Sequence, residues 1–213
     1  MAKCLDIALD KYQAQVFSSP IRCKGDVIIL WMNAVKAFLV QQPPLGSDVA
    51  ASLSIFIATM SRLFCEVSEG RKIYSISFPF TVRVDNGELN FSSRSGILID
   101  SQMSSLVLSL VNTDGVLDAT DPYVFIDPVL TAMDINQGAW SLLRELMLAE
   151  DGYVRYDWDT VRVNGHLHPE HHLDLCYSNA STFKVGLPRQ LTRADFLTIL
   201  DVDTNCHYLH PSV

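Results

Sequence analysis

The sequence of 213 residues predicts an α+β fold, with a helical N-terminal layer packed on a largely antiparallel sheet in a single domain. Three observations indicate this class. Long apolar segments fill the first third, segments of alternating apolar and polar residues follow, and short turn signals separate them. We therefore expect a helical portion over residues 1–70, and mixed strands and helices over residues 71–213.

The first third is expected to fold mainly as helices. "DKYQAQVFSS" belongs to a short amphipathic helix, and Asp26 caps a second helix, "VIILWMNAVKAFLVQQ", which Pro43-Pro44 ends. "VAASLSIFIATMSRLFCEV" is predicted as a further helix, with Ser47 or Asp48 as its N-cap. The two long segments are apolar around most of their circumference. That pattern is typical of helices that are buried on more than one side, within the domain or against a partner subunit.

The middle of the chain changes to strand spacing. In "IYSISFPFTVRV" apolar residues alternate with smaller or polar ones, "DNG" at 85–87 predicts a tight hairpin turn, and "ELNF" is the returning strand. "GILID" is a candidate third strand, and "PYVFIDP" is expected to be a short strand between prolines. The segments "SQMSSLVLSLVNT" and "NQGAWSLLRELMLAED" are predicted helices.

The last third is predicted to contain three short strands and one helix. "YVRYDWDTVRV", "HHLDLCYS" and "TFKVGL" each alternate, and their short connections favour an antiparallel meander. "TRADFLTILD" is a helix with Thr192 as N-cap and Asp195 at the third helical position.

Strand alternation sorts the polar side chains of this meander. Large apolar residues are expected to choose the core face, so the polar residues between them gather on the opposite face, within cross-strand reach. Six residues are expected there: Arg155, Asp157, Asp159, His172, Asp174 and Lys184. Such a set can perform chemistry, because a histidine beside a carboxylate acts as general acid or base, and Arg and Lys stabilise a phosphate or an oxyanion. The alternative is a solvated polar face with weak ion pairs.

The stretch "HLHPEHHLDL" at 166–175 holds four of the six histidines; the other two are His207 and His210. Strand parity places His172 on the polar face and His171 with the leucines. A metal site is an alternative, with a divalent ion held by His168, His172 and Asp174, although the spacings typical of zinc sites are absent.

The five cysteines are widely spaced, which indicates reduced and mostly buried thiols. Cys176 could act as a nucleophile beside Asp174 and His172, although a buried structural role is the simpler interpretation. The charged N-terminus does not resemble a signal peptide. The apolar run "VIILWMNAVKAFLV" contains Lys36 and is shorter than the roughly 20 residues that span a bilayer. We expect a cytoplasmic protein with no membrane contact. Its net charge of −8 restricts nucleic-acid binding to a local site.

The last sixty or so residues resemble an uncharacterised family of bacterial proteins, classed as a domain of unknown function. The family pattern is R-x-D-[YFW]-D, then H-P-x-S-H-L, a basic residue, and an L-T-x-x-x-F helix. The corresponding pieces here are "VRYDWD" (154–159), "HPEHHL" (168–173), "FKVGL" (183–187) and "LTRADF" (191–196). His171 replaces the family's serine. Lys184 replaces an arginine, and a lysine cannot form the planar two-pronged grip on phosphate.

This resemblance implies a place in mobile bacterial gene neighbourhoods, including phage-defence ones, and it selects His168 together with His172. Two hypotheses follow. In the first, the chain is a nuclease of a defence or toxin system. His172, His168, Asp157, Asp174, Arg155 and Lys184 are then its catalytic residues, with Asp159 in support and Asp157 or Asp174 orienting His172. In the second, it is a non-catalytic accessory or sensor subunit, which meets a protein partner or a second copy through the apolar N-terminal helices.

Overall fold

A computed structural model describes residues 3–41, 43–44, 48–67, 70–114, 116–117, 120–121, 123–177 and 183–205. His207, His210, Cys206, Ser47 and Pro122 lie outside these ranges. The helices and strands, in chain order, are β1 (Lys3–Leu9), α1 (Lys11–Ser18), α2 (Lys24–Val40), β2 (Ala51–Ile57), β3 (Arg62–Val67), β4 (Lys72–Ser77), β5 (Thr81–Asp85), β6 (Glu88–Ser92), α3 (Ser101–Val111), α4 (Ile126–Ile135), α5 (Gly138–Leu148), β7 (Val154–Trp158), β8 (His171–Leu175), β9 (Phe183–Gly186) and α6 (Arg193–Leu200).

The predicted α+β class is confirmed. A seven-stranded sheet has the order β1-β2-β3-β4-β7-β8-β9, and each neighbouring pair is antiparallel. The strands β5 and β6 form a separate hairpin, which lies with α3, α4 and α5 between β4 and β7 in the chain. The sheet is therefore a meander with one long insertion, and its last three strands are the predicted ones.

The prediction of a mainly helical portion over residues 1–70 is wrong, because this range holds three strands. The expected helix over 49–67 is the hairpin of β2 and β3, and β1 precedes α1. In β2 the residues Ala51, Leu53 and Ile55 belong to the larger core, whereas Phe56 belongs to a second core on the opposite face. A strand that is covered on both faces loses its polar alternation, so its apolar run resembles a buried helix.

The predicted helices α1 and α2 pack with α3 and α5 on one face of the sheet. Asp26 is not the N-cap of α2; Cys23 is, and the Asp26 carboxylate accepts hydrogen bonds from the backbone N–H groups of Arg22 (2.7 Å) and Cys23 (3.1 Å). The indole of Trp31 on α2 donates to the Ser77 carbonyl at 2.7 Å. Most of the apolar surface of α2 is buried within its own chain. The all-round apolar pattern therefore reflects internal packing, and no longer supports the predicted partner interface.

The opposite face of the sheet is covered by α6. Phe196 is fully buried and meets Phe64 edge to face, with ring centroids 6.1 Å apart. Tyr156 and Leu173 belong to the same cluster. These apolar contacts fix which side chains of β7 and β8 face the core, so the alternating polar residues must face the other way.

The predicted cap of α6 is confirmed. The Thr192 hydroxyl accepts from the Asp195 backbone N–H at 3.1 Å, and the Asp195 carboxylate accepts from the Thr192 N–H at 3.0 Å.

We expect Thr192→Ala to lower the free energy of unfolding by about 1 kcal/mol, because it leaves an N–H of the first turn unpaired. Urea titration would measure the change. Thr198→Ala, an exposed site in the same helix, is the control and should change stability by less than about 0.5 kcal/mol. Equal effects of the two changes would contradict the capping role.

The insertion confirms some predictions and corrects others. Asn86 and Gly87 have φ values of 52° and 85°, as a tight turn between β5 and β6 requires. The candidate strand "GILID" makes only an isolated bridge between Ser92 and Leu98. The expected strand "PYVFIDP" is wrong, since α4 begins at Ile126 within it. Pro128 fits there because a helix leaves its first-turn N–H groups unpaired, so a residue without an N–H loses nothing.

No helix within the described residues combines the length and the apolar character that crossing a membrane requires.

Candidate functional site

The sheet brings five of the six predicted polar residues together on one face. Across β7, β8 and β9, Arg155 lies opposite Asp174, Asp157 opposite His172, and Asp174 opposite Lys184. The register also pairs Arg155 with Tyr74 of the main core, so the face that α1 and α2 cover at one end of the sheet becomes polar at the other. We call these five residues, Arg155, Asp157, His172, Asp174 and Lys184, the polar cluster.

Ion pairs connect the members of the polar cluster. The Arg155 guanidinium donates to Asp157 through Nε at 2.7 Å, and it also contacts the Asp174 carboxylate. The Lys184 ammonium donates to Asp174 Oδ1 at 2.6 Å. Burial of the guanidinium opposes its charge, but Tyr153 and the two carboxylates outweigh that effect and raise the pKa of Arg155. Arg155 therefore stays charged, and each carboxylate of the polar cluster has a basic partner.

His172 is the innermost member of the polar cluster, with its side chain 1% exposed. Because the Pro169 carbonyl can only accept, His172 Nδ1 donates to it at 2.8 Å. The other ring nitrogen, Nε2, lies 3.0 Å from the Lys184 ammonium and accepts from it. The predicted orientation of His172 by a carboxylate is wrong, since the oxygens of Asp157 and Asp174 are 3.8 Å and 4.0 Å from Nε2. The Pro169 carbonyl orients the ring.

The pKa of His172 is lowered, first by burial and also by the Lys184 charge, although Pro169 and the two carboxylates oppose the shift. A histidine whose pKa is lower in the folded state binds fewer protons there than in the unfolded chain. Stability is therefore complete above the ordinary pKa of 6.5, and decreases as the pH falls through 6.5 towards the folded value.

We expect the free energy of unfolding, measured in urea, to decrease between pH 7 and about pH 6. In His172→Gln this slope should be smaller, because the titrating ring is gone. His168, whose ring centroid lies 4.7 Å from that of His172, is the matched control. A slope that survives in His172→Gln but disappears in His168→Gln would contradict the assignment.

Asp159 and His168 form a separate pair beside the polar cluster. Asp159 lies beyond the end of β7 and binds the backbone N–H groups of Val161 (3.1 Å) and Arg162 (3.0 Å). The pKa of Asp159 is lowered to about 2, and the largest cause is the hydrogen bond from the Arg162 N–H. His168 Nε2 is buried, 3.3 Å from Asp159 Oδ2, without a hydrogen bond to any described residue. Both predicted residues thus support the loop at 160–168 rather than the polar cluster itself.

The remaining two histidines of the stretch lie elsewhere. His171 stacks on the core side of the sheet, where its Nδ1 is 2.9 Å from the Tyr156 hydroxyl, as strand parity predicts. His166 is exposed on the loop. The four histidines of this stretch therefore occupy four different environments, and only His172 belongs to the polar cluster.

A cleft of about 680 Å³ opens between this polar face and the loop that joins α1 to α2. Asp157 and Asp174 line it, together with four cationic residues: Arg22, Lys72, Arg155 and Arg162. Lys72 lies opposite Asp157 in the sheet, and its ammonium makes no hydrogen bond or ion pair with a described residue. Burial, and next the Arg155 charge, lower its pKa. The cleft thus carries more positive than negative side chains.

The sequence patterns did not select Lys72, Arg22, Arg162 or Tyr153, all of which line the cleft. Only Lys72 could have been found from the sequence. It lies on the same face of β4 as Tyr74, and the register places these two residues opposite Asp157 and Arg155. Arg22 arrives from the loop between α1 and α2, and no local pattern relates this loop to β7.

Among the described residues, the donor atoms of Asp157, His172 and Asp174 lie within 4.8 Å of one another, close enough to share a metal ion. The predicted set of His168, His172 and Asp174 differs, because His168 contacts Asp159 instead. The Lys184 ammonium lies 2.6 Å from Asp174 Oδ1 and 3.0 Å from His172 Nε2, in the place of a cation that these two groups would share. A metal ion would therefore have to displace Lys184.

The prediction of mostly buried cysteines is wrong for the part of the chain that the structure describes. Cys4, Cys23 and Cys176 are exposed, Cys65 is buried, and none of these four forms a disulfide within the described residues. Cys176 lies just past β8 with φ 67° and lines the cleft, so it is not a core residue.

No family model, curated protein or solved structure matches this chain. The candidate site therefore depends on its own geometry, and the resemblance of the last third to a bacterial family stays a prediction.

Proposed function

We propose that the chain is a nuclease that cleaves RNA phosphodiesters in the cleft, and that it works in a bacterial defence or toxin system, as the resemblance of its last third implies. The observation that carries the proposal is the surplus of cationic side chains lining the cleft beside the Arg155–Asp157 pair. Lys72 makes no direct ion pair with a described residue, although the charges of Asp157 and Asp174 reach it, and its ammonium is a charge that a phosphate can neutralise.

A local cationic cleft allows an acidic protein to bind RNA. A chain with net charge −8 repels a polynucleotide over most of its surface. Within the cleft, Arg155 neutralises Asp157, while Lys184 and Arg155 neutralise Asp174. A local positive site remains. Strong binding is then confined to the few phosphates that enter the cleft, which suits cleavage of single strands better than wrapping of a duplex.

Each residue has a role that its position allows. Lys72 and Arg155 hold the phosphate and stabilise the charge that develops on it. Asp157, 17% exposed in the cleft, accepts the proton of a ribose 2′-hydroxyl. The 2′-oxygen attacks phosphorus, and the bond to the 5′-oxygen breaks. Lys184, whose ammonium contacts the cleft-lining Asp174, gives that oxygen a proton. His172 is a positioning residue, since it is buried and holds Lys184 through Nε2.

The products are a 2′,3′-cyclic phosphate and a 5′-hydroxyl, with no water consumed in this step. The ring of His172 stays neutral because burial lowers its pKa, so Nε2 remains an acceptor for the Lys184 ammonium. Asp174 pairs with Arg155 and Lys184, Asp157 pairs with Arg155 and also acts as the base, and none of these steps uses a metal ion.

The test compares cleavage of single-stranded RNA and DNA by the wild type and by Arg155→Met, in the presence of EDTA. We expect the wild type to cleave RNA alone, and Arg155→Met to lose at least about 100-fold in rate. Arg83→Met is the control, because Arg83 is an exposed cation on β5 outside the cleft, and its rate should match the wild type. Equal rates for Arg155→Met and Arg83→Met, or no RNA cleavage at all, would contradict the proposal.

A second candidate function is supported by the ion pairs and hydrogen bonds within the polar cluster, which already occupy its charged groups. Each of its members already has a partner within it, and His172 and Asp174 are buried. Such a network can stabilise a binding surface without catalysis. We propose, as the alternative, an accessory or sensor subunit of a defence or toxin complex. Light scattering at micromolar concentration discriminates the two, since an inactive chain that forms a dimer supports the alternative, and an inactive strict monomer weakens it.

A further inference from the structure

Arg62 on β3 is a buried cation without an acidic partner among the described residues. The residue is 6% exposed, and no described carboxylate lies within 4.0 Å of its guanidinium. Its Nε donates to the Ser75 hydroxyl at 2.8 Å, and its Nη2 donates to the Gly152 carbonyl. Nη1 makes no hydrogen bond with any described residue. Buried charges are ordinarily paired, because removing them from water is costly. The Arg62 guanidinium therefore carries a charge that an anion from outside the chain can pair with.

A groove of about 730 Å³ adjoins this guanidinium. Arg62, Val154, Leu175 and residues 149–153 line it, and the apolar walls strengthen electrostatic attraction inside it. Residues 149–152 are tied to the end of β4, where the Ser77 N–H donates to the Asp151 carbonyl at 2.8 Å. The groove is therefore formed before any ligand arrives.

Two acidic residues line the groove, Glu150 and Asp151. Glu150 is exposed, so water and salt screen its charge, and Asp151 is neutralised by a partner of its own. The Asp151 carboxylate pairs with the Lys24 ammonium and accepts from the Tyr177 hydroxyl at 2.5 Å. Gly152 has a φ of +51°, and a Cβ at this position would lie 3.3 Å from Arg62 Nη1. Glycine thus keeps the backbone close to the guanidinium. Burial lowers the pKa of Arg62 to about 10, so the side chain still carries its charge at pH 7.

We propose that this groove is a second anion site, in which Arg62 Nη1 binds a phosphate group. Phosphate fits because its several acceptor oxygens can use both N–H bonds of Nη1. Tyr153, Cys176 and Tyr177 line both the groove and the RNA cleft, so the two sites are neighbours. The phosphate could be a free or terminal one. It could also be the next phosphate of an RNA strand whose cleaved bond lies in the cleft, and this second source rests on the proposed function.

The experiment is a titration of the isotope-labelled whole chain with inorganic phosphate, followed by ¹⁵N NMR. The signals of Arg62 Nε–H and the Gly152 amide are expected to shift and to saturate. In Arg62→Met the Gly152 shift should be lost, whereas in the control Lys72→Met it should persist. If Arg62→Met does not fold, the wild-type signals and Arg62→Lys decide, and Arg62→Lys should bind at least about tenfold more weakly.

Three results would overturn the second site: no saturable shift at Gly152, the same shift in Arg62→Met, or an equal response to acetate. A short oligonucleotide with 2′-O-methyl groups distinguishes the two sources of phosphate. If it shifts Gly152 together with cleft signals such as Lys72, the groove takes the next phosphate of a strand. If only inorganic phosphate shifts Gly152, the groove is a separate site for small phosphates. Neither titration needs cleavage, so the groove is tested even if the nuclease proposal fails.

Discussion

Asp174→Asn is expected to lower the free energy of unfolding by about 3 kcal/mol, one of the larger effects of a single substitution in this chain. The Asp174 carboxylate is 6% exposed and contacts two cations, Arg155 and Lys184. An amide of the same shape removes the negative charge, so Arg155 keeps only Asp157 as a counter-ion, and Lys184 keeps no carboxylate partner among the described residues. The partners are about one-third exposed, and this places the loss at the lower end of the range for buried pairs.

Urea titration at pH 7 measures this loss, and Asp134→Asn is the matched control. Asp134 is exposed on α4 and forms no ion pair with a described residue, so the same chemical change there should cost less than about 0.5 kcal/mol. A loss for Asp174→Asn within that limit would show that the ion pairs are screened, and that the polar cluster adds little to stability.

Asp157→Asn is expected to reduce the rate of RNA cleavage by about 10²–10⁴-fold, because the amide cannot accept the proton of the 2′-hydroxyl. The fold should survive the change. The amide oxygen can still accept from Arg155, and Asp157 is more exposed than Asp174, at 17% against 6%. The rate under single-turnover conditions with EDTA is the measurement, and the urea midpoint of the same preparation shows that the variant is folded.

Asp134→Asn serves again as the control, since it makes the same change of a carboxylate outside the cleft, and we expect its rate to equal the wild type. A folded Asp157→Asn that cleaves as fast as Asp134→Asn would remove Asp157 as the base. The negative charge of Asp157 can also repel the RNA phosphate. A cleavage rate that rises in Asp157→Asn would therefore indicate that this charge opposes substrate binding and that Asp157 is not the base.

Strand parity predicted the polar cluster because β7, β8 and β9 alternate cleanly, with one face on the core under α6. The identity of each alternating residue then fixes its direction, and short connections fix the order of the strands. The same logic failed for residues 51–67, where Leu53 and Phe56 pack into cores on opposite faces of the sheet. A strand that is buried on both sides carries no alternation to read.

Contacts between distant segments account for what the sequence could not predict. Arg22 lines the cleft because the loop after α1 lies over β7 and β8, and only the tertiary fold brings these segments together. The Pro169 carbonyl, rather than a carboxylate, orients His172, because the loop before β8 turns back on the ring. Arg62 is similar, since its lack of a counter-ion becomes visible only when every neighbour is known.

The chemistry of the RNA ends after cleavage by the wild type in EDTA tests the central claim most directly. Attack by a 2′-oxygen that Asp157 deprotonates, on a phosphate that Arg155 holds, leaves 2′,3′-cyclic phosphate and 5′-hydroxyl ends. Arg155→Met should produce them at least about 100-fold more slowly. Intact RNA after prolonged incubation, or the same ends at the same rate from Arg155→Met, would contradict the assignment of the cleft as a nuclease site.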